Sequence, residues 1–174
     1  PHPNPPPGKC VAVNLTEDHK LENPGERERI EATGAWIKPA QEDPYFVPSR
    51  VYASRGNRRL GPGLTMSRSL GDLDADPIGV IATPDVGFRT LTPGKDKFIV
   101  LASDGVWEFL SSEMVVEMVA GFVDRGEPAR QAARFLIAKA AHAWQVEEGD
   151  YRDDITAIVI FLDSLPSAIG PCSG

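Results

Sequence analysis

Asp104 follows directly on the apolar run 98–102 and its closing Ser103, while Asp153 and Asp154 lead directly into the apolar run 155–162. Both runs have the length and β-branched content of buried strands. A carboxylate at the mouth of a strand has a rigid support, and if the two strands are neighbours, Asp104 and Asp153 converge. Converging carboxylates repel unless a cation lies between them, and hard oxygen ligands favour magnesium, manganese or calcium. The same letters carry plainer readings. Ser103-Asp104-Gly105 after a strand makes a turn, and Asp153-Asp154 before one caps backbone amides. Spacing by itself leaves both open.

A second group is basic. Arg50, Arg55, Arg58, Arg59 and Arg68 break the acidic average of the chain, and arginine forks suit phosphate. The alternative is a solvated loop. Gly71-Asp72 reads as a turn or helix cap, Trp36 and Trp107 as packing residues, and His19 and His142 as isolated.

The elements that must position these groups follow from pattern and punctuation. Residues 11–15 read as a short strand. Asn23-Pro24 opens a helix, with asparagine as N-cap and proline at the first helical position, running to Gly34. Residues 33–63 hold repeated proline and glycine and form a long irregular excursion with one short hairpin around 47–52. Residues 78–82 and 85–91 look like strands, and the turn at 92–96 leads to the strand ending at Ser103. Ser111 or Ser112 caps a helix whose Val115, Met118, Val119 and Phe122 share one face, stopped by Gly126. Pro128 opens another helix with an apolar stripe of Ala132, Leu136, Ala140 and Ala143, ended by Gly149. The last strand is apolar on both faces and therefore belongs mid-sheet, covered above and below. Strands first and paired helices later indicate a layered α+β fold, without internal repeats.

The chain has 174 residues, of which 41% are hydrophobic, enough for one ordinary core. No apolar run is long enough to span a membrane. A net charge of −7 argues against nucleic acid or an anionic membrane as partner. Cys10 and Cys172 have neither metal-ligand nor disulfide-framework spacing, which favours a reducing, intracellular compartment, cytoplasmic or nuclear. Residues 1–9 read as a disordered proline-rich leader without signal-peptide character, and 165–174 as a flexible tail.

Taken together, four blocks resemble the type 2C metal-dependent serine/threonine protein phosphatases, in the same order. They are Leu15-Thr16-Glu17-Asp18-His19-Lys20, the stretch 61–72 around Ser67-Arg68-Ser69-Leu70-Gly71-Asp72, the stretch 101–111 around Ser103-Asp104-Gly105-Val106-Trp107-Glu108, and Arg152-Asp153-Asp154-Ile155-Thr156. The resemblance covers most of residues 10–164 and is confined to the C-terminal portion of that catalytic domain. It implies part of a four-layer α-β-β-α sandwich, two antiparallel sheets flanked by helix pairs, with 33–63 in the place of the family's substrate-influencing flap.

The resemblance also implies roles. Asp104 and Asp153 become metal ligands, and Glu108 stands where an aspartate helps bind a third, weaker metal. Gly105 and Asp154 line the site, Asp154 in place of the usual asparagine, and Arg68 stands at most behind it, toward phosphate. The cofactors are Mg²⁺ or Mn²⁺, the nucleophile is a metal-bound water rather than a catalytic side chain of this chain, and the substrates are phosphoserine and phosphothreonine in proteins. The family's Asp-Gly-His-Gly block and its phosphate-gripping arginine belong to an N-terminal half not found in these residues. The chain alone is therefore expected to bind metal weakly and to hydrolyse phosphate esters poorly or not at all. Its exposed sheet edges invite dimerisation, strand exchange or pairing with that missing half. A non-catalytic pseudophosphatase or phosphoprotein-binding module is the alternative, and an acidic calcium-binding domain a third.

Overall fold

The computed structural model describes residues 9–42, 46–54 and 63–162. The leader 1–8, residues 43–45 and 55–62 of the excursion with Arg55, Arg58 and Arg59, and the tail with Cys172 lie outside the described residues. The chain divides into two compact units, one formed by Leu15–Phe88 and the other by the segments flanking it. Each is α+β and holds one two-stranded antiparallel sheet.

In the Leu15–Phe88 unit, helix α1 (Pro24–Ala32) starts at the expected Asn23-Pro24. Asn23 does not cap it through its side chain. Its amide donates instead to the carbonyl of Asp18 (2.8 Å) and ties down the incoming loop. Strands β1 (Trp36–Lys38) and β2 (Arg50–Tyr52) pair with Trp36 opposite Tyr52, their rings stacked at 6.0 Å. The hairpin expected around 47–52 is thus wider, with its first arm at 36–38. Leu21, Ile30, Ile37, Val51, Ala75, Ile78 and Val80 form the core.

Three expected strands do not form. Residue 78 closes a 3₁₀ helix, Leu73–Ile78, and only an isolated bridge joins Ile81 to Arg68. Residues 11–15 and 82–92 pair with no strand among the described residues, and Val86 and Phe88 are exposed, the latter 97%. Alternation signals a two-faced segment, but a ladder needs a neighbour to accept its hydrogen bonds.

In the other unit, β3 (Phe98–Ala102) pairs antiparallel with β4 (Ala157–Phe161), Ala102 opposite Ala157. The single turn α2 (Asp104–Trp107) follows β3, then α3 (Ser112–Asp124) and α4 (Ala129–Glu147). Ser111 caps α3 by accepting from the amide of Met114 (3.3 Å), and Gly126 ends the turn beyond it with φ +64°. The buried faces of α3 and α4 pack on one face of the sheet, against Phe98, Val100, Ala102, Ala157, Val159 and Phe161. The fourth buried position on α4 is Trp144 rather than Ala143.

The opposite face is open at the Leu101–Ile158 end among the described residues, while Ile99 and Ile160 on it are half-buried. Leu101 and Ile158, directly paired, are 50% and 54% exposed. The expectation that β4 lies mid-sheet and is covered on both sides is therefore corrected: among the described residues it has one neighbouring strand and one covered face.

Candidate metal centre

Antiparallel pairing brings the exit of β3 beside the entry of β4, which places the Ser103-Asp104-Gly105 segment against Asp153-Asp154. Ser103 joins them. Its amide donates to the carbonyl of Thr156 (3.0 Å), and its hydroxyl donates to the carbonyl of Asp154 (2.9 Å) while accepting from the amide of Thr156 (3.1 Å). Gly105 lets the two backbones close up, since a Cβ at 105 would lie 2.3 Å from the carbonyl oxygen of Asp154. Any side chain there would push the acidic segments apart.

The carboxylates stand in solvent. Asp104, Glu108, Asp153 and Asp154 are all exposed. Glu108 follows Asp104 by one helical turn, its amide donating to the Asp104 carbonyl (2.8 Å), so the two side chains share a face and repel. Asp153 accepts from the amide of Asp154 (2.7 Å), which fixes the bend into β4. A cleft of about 340 Å³ opens beside Asp153, lined by Arg152, Asp154, Ile155 and, from α4, Ile137 and Ala141.

The donor chemistry, carboxylate oxygen throughout, fits a hard divalent cation. The donor number does not complete a cage: among the described residues no three His, Cys, Asp or Glu side chains gather closely enough to hold a metal ion. Ser103, which joins the two segments, is a residue of this candidate site that sequence reasoning passed over. Its signal was a hydroxyl placed where a strand ends and an acidic loop begins.

Arg68 lies in the other unit, bound in a network of its own. Its guanidinium donates to both oxygens of Glu26, to Asp85 (2.7 Å) and to the carbonyl of Thr83 (2.8 Å). Glu26, 7% exposed, also accepts a bidentate pair from Arg29 (2.9 and 2.8 Å) and a bond from the Ser67 hydroxyl. Hydrogen bonds from Arg29, then from Arg68, hold the Glu26 carboxyl far below the usual carboxylate range, and Glu26 in turn raises Arg68 above its own. His19 bonds Asp85 through Nε2 (2.9 Å), which together with Arg68 lowers the Asp85 carboxyl. The donors of Arg68 thus serve to knit α1 to the segments around 67 and 84.

Comparison with known proteins agrees with the family resemblance of the four sequence blocks. A family model described as protein phosphatase 2C matches residues 8–147, a span that includes Asp104 and stops before Asp153. The chain is 40% identical over 155 residues to probable protein phosphatase 2C 33 of Arabidopsis thaliana, covering 88% of this chain and 30% of that protein. It is 38% identical over 160 residues to probable protein phosphatase 2C 48 of Oryza sativa subsp. japonica, covering 91% and 42%. Among solved structures, a serine-threonine phosphatase 2C from Toxoplasma gondii superposes with a TM-score of 0.68 at 28% identity, over 84% of this chain and 46% of that one. A sex-determining protein of C. elegans, at 21% identity and a TM-score of 0.59 over 84% of this chain and 31% of that one, shares the fold. The chain thus spans from 30% to 46% of the length of these relatives.

Proposed function

The chain belongs to the protein phosphatase 2C family, and from that premise we propose that it supplies the C-terminal, acid-bearing part of a metal-dependent hydrolase of phosphoserine and phosphothreonine in proteins. The observation that carries the reading is the Ser103 staple, which binds the Asp104 loop to the Asp153-Asp154 segment at adjoining strand ends. Asp104 and Asp153 would hold a Mg²⁺ or Mn²⁺ ion, with Glu108 reaching in from one turn beyond Asp104. Gly105 and Asp154 shape the floor by their backbones. Such ions supply Lewis acidity toward phosphoryl oxygens and lower the pKa of a water. This chain's own part is to present the oxygens on a support too stiff to relax when they repel.

Two carboxylates, with Glu108 as a third, leave a divalent ion under-coordinated. The Asp-Gly-His-Gly block is absent from these 174 residues. Weak metal binding and poor turnover of phosphate esters by this chain alone follow, together with an association through the open Leu101–Ile158 face, with a second copy or with the complementary part of the domain. That face also supports the second reading, a partner-binding module without catalysis. Among the described residues no helix is long and apolar enough to cross a membrane; the placement inside the cell rests instead on the cysteine spacing of the sequence.

Calorimetric titration of Mn²⁺ into the chain and into Asp104→Ala tests the metal reading. Binding by the first and none by the second is expected, and equal binding by both would overturn it.

A further inference from the structure

Trp144 sits near the end of α4 and is only 7% exposed. Its indole Nε1 donates to the carbonyl of Gly105 at 2.8 Å, a buried bond spanning 39 positions of sequence. A buried carbonyl without a donor is costly, and this one belongs to the residue next to Asp104. The ring is also held by two aromatic edges. Phe109 meets it at 4.8 Å and 82°, one turn beyond Gly105, and Tyr151 at 5.8 Å and 67°, two residues before Asp153.

One side chain therefore touches both acidic segments, through Gly105 and Phe109 on one side and Tyr151 on the other. Packing accounts for a large apolar group at this place. It does not account for an N–H aimed at the Gly105 carbonyl, which any aliphatic or phenyl ring would leave unpaired.

We propose that Trp144 is a positioning residue, an indole strut from α4 that fixes the spacing between the Asp104 loop and the Asp153-Asp154 segment. What that spacing is for rests on the phosphatase reading; the strut itself does not. Ser103 joins the two segments at the sheet, and Trp144 braces them from the helix side.

Trp144→Phe keeps the ring and removes the donor. Amide hydrogen exchange of the metal-free chain is read at residues 103–110 and 151–156. Both segments are expected to exchange about tenfold faster, while 115–122 of α3 stays as protected as before. Phe122→Leu, a core truncation in α3, serves as the control that lowers thermal stability without that paired local change. Unchanged exchange in the two acidic segments, or equal acceleration in α3, overturns the proposal. Should Trp144→Phe fail to fold, Tyr151→Ala, at an exposed position, removes one aromatic edge and is expected to loosen the same two segments to a smaller degree; no change in either counts against the strut. A Mn²⁺ titration of Trp144→Phe beside Asp104→Ala separates the two readings. Weaker binding by Trp144→Phe is expected; full affinity there, with loss in Asp104→Ala, overturns the strut's service to the metal site, and equal Mn²⁺ binding by Asp104→Ala and the unaltered chain sinks the metal reading while exchange still decides the strut.

Discussion

In the Leu15–Phe88 unit the buried Glu26 carboxylate receives hydrogen bonds from Arg29, Arg68 and Ser67, whereas in the other unit Asp104, Glu108, Asp153 and Asp154 face solvent with no basic side chain bonded to them among the described residues. Both units use carboxylates, arranged to opposite ends. Where the protein supplies its own cations, the acid becomes part of the scaffold, and its removal takes from half-buried Arg29 and Arg68 the carboxylate they share. Where it does not, repulsion is held in place by stiff backbone, and only an added cation can relieve it. A side chain that looks electrostatically unfinished on a rigid support is thus the better guide to chemistry than one in an ion pair.

Removing acids from each unit should break or sharpen that contrast. Glu26→Ala is expected to cost the most, about 3–5 kcal/mol, measured by denaturant unfolding followed by circular dichroism, because it empties the buried centre of the network and leaves Arg29 only backbone carbonyls and Arg68 only Asp85 and the Thr83 carbonyl. The same contact can be titrated. The folded-state pKa of Glu26 lies below its unfolded value, so its stabilisation is complete above the ordinary carboxylate pKa, about 4.3, and drains away as pH falls toward the depressed one. The unaltered chain should therefore lose thermal stability on acidification below about pH 4.5, and Glu26→Gln should lose less over the same interval.

In the acidic unit the sign reverses. Saturating Mn²⁺ should stabilise the chain by about 2.7 kcal/mol at a hundredfold excess over Kd, an increment that Asp104→Ala abolishes. Gly105→Ala should cost about 1–3 kcal/mol and weaken Mn²⁺ binding as well, since its Cβ collides with the Asp154 carbonyl. The smallest effect is Asp104→Asn without metal, within about 0.5 kcal/mol of the parent. A large loss there would mean that Asp104 is structural after all, and the contrast between the units would fail.

Much of the acidic unit was legible in the letters. Two β-branched runs with acids at their mouths pair in the register that brings those acids to one end, and Ser111 and Gly126 delimit α3 as their residue types require. What stayed hidden depends on partners distant in sequence. Nothing local says that Arg68 turns inward to Glu26, 42 positions away, instead of outward to an anion. Residues 82–92 carry a strand's alternation, yet that pattern reports which side prefers cover, not whether a neighbour exists to give it. The stripe on α4 ends at Trp144 rather than Ala143 because both fit helical spacing, and the partners of Trp144, the Gly105 carbonyl with Phe109 and Tyr151, are distant in sequence or beyond the helix.

The tryptophans are divided between the units. Trp36 stacks on Tyr52 in one, while in the other Trp107 bonds the carbonyl of Ala102 (2.9 Å) and Trp144 that of Gly105. Replacing Trp36 by phenylalanine would leave near-ultraviolet emission arising from indoles that both grip the backbone flanking Asp104. Its colour and anisotropy would then follow the melting of that half alone, giving it an optical signature of its own within one polypeptide.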